Sequence, residues 1–210
     1  NDLPLSLAMR LYRRYGLESM EAVLQNPYLL VDDFYGVDFS VMDEIALGMG
    51  FDAGSQRRVE AAVLFELSHN LNNGHVFLPR EKLLAAVQQL IGATEDQAEQ
   101  ALDNLLDRRA VVVDRVGKVE ACYLWRLHEA EVYVAAKLKA MLSYQPDIGQ
   151  NIDAIIDRIQ AQQGITYAPA QRQAVELAAT EGLLLLTGGP GTGKTTSVRG
   201  VVAMFESLGM

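Results

Sequence analysis

The sequence predicts a mainly α-helical N-terminal part followed by the start of an α/β domain built around a phosphate-binding loop. Three observations carry this. Residues 1–66 place apolar side chains at helical spacing, interrupted by repeated stops. Residues 67–127 run helix, helix, then two short β-type segments. Near the C-terminus a leucine-rich run over 183–187 precedes Gly188-Gly189-Pro190-Gly191-Thr192-Gly193-Lys194-Thr195, which fits G-x-x-x-x-G-K-[ST].

The elements follow in order. Leu5, Ala8, Met9, Leu11 and Tyr12 repeat at helical spacing in a helix expected from Leu3, and Gly16 stops it. Residues 18–25 form a second short helix, ended by Asn26-Pro27. A turn over 35–39 leads to a helix ending near Leu47, with Ser40 expected as N-cap and Asp43 in its first turn. Residues 56–70 form another amphipathic helix, with Arg57 and Glu60 among its expected exposed positions. Residues 1–66 thus read as two helix–turn–helix units in series.

The second region opens at Gly74-His75-Val76-Phe77-Leu78-Pro79. Helices are expected over 80–90 and 95–108, the latter capped by Thr94. Two β-type runs, 110–114 and 119–125, flank Val116-Gly117-Lys118. Helix, helix, hairpin is the order of a winged-helix module. Residues 128–163 read as linker helices, one ending near Leu142 and one over 152–162 that Gly164 closes. Residues 164–210 hold the phosphate loop, and 195–208 read as the helix that follows it.

Composition narrows the function classes. The chain has 210 residues, 50% hydrophobic and 21% charged, enough for one or two domains with cores. Its net charge of −9 weakens general attraction to polyanions, so a nucleic-acid site must be local. Residues 1–66 are the most acidic part and 164–210 are balanced, which suits a polyphosphate ligand in the latter. Cys122 is the only cysteine, which excludes an intrachain disulfide and argues against a structural zinc site. This fits a reducing, cytoplasmic setting. No apolar run approaches the ~20 residues of a membrane span. The chain opens at Asn1 rather than Met and stops one helix past the loop, so a fragment is expected.

Each part of the loop has a mechanical reason. Glycines let backbone N–H groups turn toward one centre and let a ligand approach the main chain. Gly188, Gly189, Gly191 and Gly193, with Pro190 and Thr192 between them, form that cradle. Lys194 supplies a point charge for the β- and γ-phosphates, and the Thr195 hydroxyl is placed to hold Mg²⁺. The helix beginning near Gly193 aims its positive end at the same spot.

Upstream lies Tyr167-Ala168-Pro169-Ala170-Gln171-Arg172-Gln173-Ala174-Val175. This glutamine, then a helix, a leucine strand and Gly-Gly-Pro-Gly-Thr-Gly-Lys-Thr-Thr, resembles the start of a superfamily 1 helicase motor of the RecD-like kind. Tyr15-Gly16, Asn26-Pro27-Tyr28-Leu29-Leu30, Gly36-Val37-Asp38-Phe39, Asp43-Glu44-Ile45-Ala46 and Gly74-His75-Val76-Phe77-Leu78 resemble the helical N-terminal domain of the long RecD-like subgroup. The resemblance implies helix-hairpin-helix-like and winged-helix-like regions followed by the first part of a RecA-like domain. It implies an ATP-dependent DNA helicase that moves 5′ to 3′ on single-stranded DNA, with single-stranded and duplex DNA as partners of the complete motor and DNA repair and recombination as its setting. At matching positions it implies that Gln171 reads the adenine edge. It also implies that Thr196 lies near the α-phosphate. The acidic Mg²⁺ partner, the water-orienting group and the arginine finger of phosphoryl transfer are not among these 210 residues, so the fragment alone is expected to be inactive.

Other features admit two readings. Asp38 stands where a DNA-binding helical hairpin usually has a second glycine, and its charge opposes a phosphate. The balance favours a structural or protein-binding role for residues 1–66 over direct DNA contact. Arg10, Arg13 and Arg14 share one helix face, and Arg108, Arg109, Arg115 and Lys118 lie near the expected hairpin. Ordinary surface charge is the favoured reading of both sets. His75 is expected to pack or cap a turn, Trp125, Tyr123 and Tyr133 to be core, and Cys122 to be buried and inert. Two rival readings stay open: a different P-loop ATPase, such as an AAA-type motor, or an interaction module binding a protein partner.

Overall fold

A computed structural model describes residues 5–31, 35 and 37–210. Leu3 and Gly36, named above, lie outside the described residues. Among the described residues the chain forms ten α-helices and one three-stranded sheet, and it divides into two units, 1–130 and 131–210.

In the first unit, α1 (Leu5–Tyr15) ends at Gly16, whose φ of +57° suits glycine. Helix α2 (Ser19–Gln25) stops before Pro27, and a short 3₁₀ segment, Pro27–Val31, leads on. Helix α3 (Phe39–Gly48) is capped by Asp38, whose carboxylate accepts from the Ser40 N–H at 2.8 Å. This corrects the expected cap. Ser40 lies one residue inside the helix, and Asp38 has the extended backbone that a cap needs. Leu7 and Leu11 of α1 pack with Leu30, Tyr35 and Met42 in a small core.

Helix α4 (Gln56–His69) belongs to a larger core. With β1 (Phe77–Pro79), α5 (Arg80–Ile91), α6 (Glu95–Asp107), β2 (Val111–Val116) and β3 (Val119–Leu124) it makes a complete winged-helix arrangement. The strand order is β1-β3-β2, all antiparallel, with Leu78 opposite Cys122 and Val113 opposite Cys122 on its other side. Val59, Val63 and Leu67 of α4 pack with Leu83, Val87, Leu102 and Leu105. Tyr28 and Phe39 join the same cluster, so one apolar interior runs through the 66/67 division expected from sequence. Strand β1 was not expected: three residues carry no readable alternation. A capping box closes α6, as Thr94 accepts from the Gln97 N–H and Gln97 answers.

Helix α7 (Trp125–Leu142) has no buried residue, although Leu127 packs at the edge of the first core. Tyr133 is 63% exposed and Trp125 47%, contrary to the core role expected for both; Tyr123 is buried. The reason is that α7 leaves the core after Leu127, whereas Tyr123 sits in the inner strand, β3.

In the second unit, α8 (Ile152–Gln163), α9 (Pro169–Thr180) and α10 (Lys194–Ser207) share a core of Ile155, Ile156, Ile159, Tyr167, Val175 and Met204. Helix α8 thus packs with the phosphate-loop helix. Among the described residues 183–187 form no sheet ladder, and Leu185 is 82% exposed. The sequence expectation was a buried strand. A parallel strand is fully buried only between neighbouring strands and helices; here α9 and α10 flank Leu183 and Leu184, which are half-buried, and no strand pairs with the run among the described residues. Gly182 passes so close to the Met141 and Tyr144 carbonyls that a Cβ there would overlap both.

Candidate nucleotide site

The loop is built as its glycines require. Gly191 and Gly193 hold φ of +75° and +82°, a region costly to residues with a Cβ. At Gly188 a Cβ would come within 2.7 Å of Thr192 Oγ1. The Thr192 hydroxyl donates to the Gly189 carbonyl at 2.9 Å, closing the loop on itself. Space where a Cβ of Gly191 would stand is open, which is what a close-approaching ligand needs.

Helix α10 starts at Lys194 with no side-chain cap. Thr94 caps α6 and Asn151 caps α8 through their side chains, whereas α10, like α4 and α5, starts without one. The first amides of α10 are left as donors at the positive end of the helix dipole. The Lys194 ammonium folds over the loop and donates to the carbonyls of Gly188 and Gly189, the latter at 2.7 Å. It therefore sits within the cradle. Thr195 is exposed at the second helical position and Thr196 is half-buried at the third. Uncapped amides, a free loop concavity and one ammonium suit a polyphosphate. Among the described residues no group of three His, Cys, Asp or Glu side chains could hold a metal ion by itself. Thr195 would offer one hydroxyl to a Mg²⁺ ion that protein side chains do not cage.

Gln171 lies at this loop, 22 residues away in sequence. Its Oε1 accepts from the Ala168 N–H at 3.0 Å, a capping-box contact that opens α9. Its Nε2 reaches the Gly193 carbonyl at 3.5 Å, and a Cβ on Gly193 would overlap that nitrogen. Arg172, next in sequence, bonds Asp153 at 2.8 Å and Asp157 at 2.7 Å on α8. These two contacts fix the first turn of α9, and with it Gln171. Sequence reasoning did not single out Arg172; its partners, four residues apart on one face of α8, were the available signal. Gly200 is a second silent contributor. A Cβ there would come within 2.6 Å of the Tyr167 hydroxyl and 2.7 Å of Val175, so α10 approaches α9 only as glycine allows.

The other candidates are placed as follows. Arg13 and Arg14 are exposed on α1. Glu60 is only 13% exposed in its side chain, because Arg108 and Asn104 bond it; it was expected outside. His75 is exposed, and Cys122 is fully buried, its thiol pushed up to about 11 by burial. Helix α6, which occupies the place of the groove-entering helix in DNA-binding winged-helix units, carries five acidic side chains and no Lys or Arg.

One buried network went unread in the sequence. Arg58, 8% exposed, makes a two-pronged pair with Asp43, at 2.7 and 2.8 Å, and also bonds the Ala53 and Ile91 carbonyls. The Tyr28 hydroxyl donates to the same carboxylate at 2.8 Å. Burial pushes Asp43 up, but the bonds from Arg58 and Tyr28 outweigh it and hold the carboxyl below its usual value. Burial, then the bond to Asp43, raises the Tyr28 hydroxyl. Arg58 joins α3, α4 and the end of α5, but an arginine on an amphipathic helix reads as surface charge.

Comparison with known proteins agrees with this geometry. A family described as the ATP-dependent RecD2 DNA helicase HHH domain matches residues 1–77, and an AAA domain family matches 171–210. The ATP-dependent RecD2 DNA helicase of Deinococcus radiodurans is 26% identical over 99% of this chain. These matches support a likeness to the N-terminal part of RecD-like helicases. The chain spans 30% of the length of the Deinococcus relative. The RecBCD enzyme subunit RecD of Mycobacterium tuberculosis is 36% identical over 39% of this chain and 13% of its own length. No helix among the described residues is long and apolar enough to cross a membrane.

Proposed function

We propose that this RecD-like chain is the N-terminal portion of an ATP-dependent DNA helicase that couples MgATP hydrolysis to 5′-to-3′ translocation and to unwinding of DNA. One observation carries the reading: the uncapped start of α10, the glycine turns and the Lys194 ammonium meet at a single loop, with Gln171 against its end. In this reading residues 188–193 cradle the phosphates through backbone amides, Lys194 binds the β- and γ-phosphate oxygens, and Thr196 lies by the α-phosphate. Gln171 exchanges its present partners for the adenine edge. The Thr195 hydroxyl would help hold Mg²⁺, which would supply charge neutralisation. Residues 1–66 are the helical-hairpin part, 67–127 the winged-helix-like part and 164–210 the first part of the motor, with α8 from the linker joining the motor's core. The parent acts on single-stranded and duplex DNA through its complete motor, in the cytoplasm, in repair and recombination. The 210 residues alone bind nucleotide without turning it over.

The test uses the full-length parent. Lys194→Ala is expected to abolish DNA-stimulated ATP hydrolysis and unwinding together, with fold unchanged by circular dichroism. Wild-type hydrolysis in that variant removes the assignment.

A second reading concerns residues 1–127 alone, as a docking module for a protein partner. The acidic face of α6 favours it. Deleting 1–127 from the parent would then lose partner binding while unwinding persists.

A further inference from the structure

A second basic feature lies in the first unit, far in sequence from the phosphate loop. Arg14 from α1, Arg57 from α4 and Arg108 from the end of α6 line one cavity of about 310 Å³. This is near the small end of the ~300–1,000 Å³ range of ligand sites. Three arginines converge from elements separated by up to 94 positions, two of them from residues 1–66, the part of the chain richest in acidic residues. Glu60 is the one carboxylate among the described residues lining it, so the lining carries a surplus of two positive charges. Helix dipoles do not explain the set: Arg57 sits at the start of its helix, where a cation is unfavourable.

The arginines are held but not saturated. Arg57 Nη1 donates to the Gln25 carbonyl, which orients the guanidinium and leaves donors over. Arg108 is bonded by Glu60 and by the Asn104 carbonyl. Arg14 has no ion pair among the described residues and lies 5.7 Å from the Tyr15 ring centre. At the wall, the side-chain oxygen of Asn26 is buried with no hydrogen-bond partner. The amide's oxygen and nitrogen are interchangeable by a flip, and the flipped form presents a donor. Guanidinium forks plus an amide suit tetrahedral oxyanions through paired N–H···O bonds.

We propose that this cavity binds a phosphate group, held by Arg14 and Arg57 with Arg108 behind them. Two sources share that chemistry: the sugar-phosphate backbone of DNA and free phosphate. The site differs from the nucleotide loop in position and in kind, because it uses side-chain forks rather than backbone amides.

The 210-residue chain and its Arg14→Ala and Arg14→Ala/Arg57→Ala variants are to be compared at matched ionic strength. Inorganic phosphate is titrated by calorimetry, and a labelled oligothymidine by fluorescence anisotropy between 50 and 200 mM salt. Lys194→Ala is present throughout to silence the loop. Arg14→Ala breaks no ion pair and so keeps the fold, with thermal melts as control. We expect at least a tenfold loss in the double variant for one of the two ligands. If the oligonucleotide is affected, the salt slope falls by about 0.7 for each phosphate no longer neutralised, and backbone phosphate is the source. Weakening confined to inorganic phosphate assigns the free anion. Equal binding of both ligands by wild type and double variant, or binding only of an acidic peptide such as oligoglutamate, overturns the proposal.

Discussion

The two units solve burial differently. The first gathers α3, α4, α5, α6 and the sheet around its larger interior, with Leu83, Val87, Ala98 and Leu102 fully enclosed, and adds a small core under α1. The second buries one side only: Ile156, Val175 and Met204 are enclosed between helices, while Leu185 of the same unit stands in solvent. An antiparallel winged unit closes on itself, since its strands pair through a tight hairpin. A leucine strand meant for a parallel sheet has no such local partner. The first unit is therefore expected to melt as its own cooperative transition, and the second to respond to whatever fills its loop.

The strongest way to break that contrast is at Arg58. Arg58→Met leaves the Asp43 carboxylate buried without its partner, expected to cost about 3–5 kcal/mol. Calorimetry should show the first unit's transition falling while nucleotide binding by the second persists. Loss of both would mean the units are not independent. Next, Lys194→Ala removes a charge-assisted contact of about 1.5–3 kcal/mol. Binding of an ATP analogue should weaken roughly 10- to 100-fold, with the first unit's melt unmoved. Gly200→Ala forces α10 away from Tyr167 and Val175, an overpacking cost of about 1–3 kcal/mol, seen as a lower second transition and weaker nucleotide binding.

The smallest effect is with pH. The Asp43 carboxyl is held below its ordinary value of 3.8. Its stabilising contribution is thus present above that value and lost as pH falls below it, through the folded-state value. The first unit's midpoint should be level near neutrality and drop below about pH 4. Asp43→Asn, already weaker, should show a shallower drop over that window.

Much of the fold was legible because its signals are local. Gly16, Asn26-Pro27, Thr94 and Gly164 mark helix ends through backbone rules that need no partner, and the structure keeps each. The phosphate loop was legible for the same reason. What escaped depends on distant neighbours. β1 is a strand only because Tyr123, Cys122 and Ala121 stand opposite it. Arg58 is interior only because Asp43 arrives from α3. Asp38 was weighed as a poor phosphate neighbour, whereas its immediate task is to start α3. Gln171 was expected as a site residue from the resemblance, and its contact with Gly193 follows from how α9 and α10 pack.

The row of carboxylates on α6 sets a direction of approach. An anionic strand brought to this unit would meet the carboxylates of Glu95, Asp96 and Asp107, whereas Glu99 is paired with Arg80 and Asp103 lies 3.9 Å from the same guanidinium. On the proposed reading, such a strand would favour the arginine-bearing end of α6 over its carboxylate face.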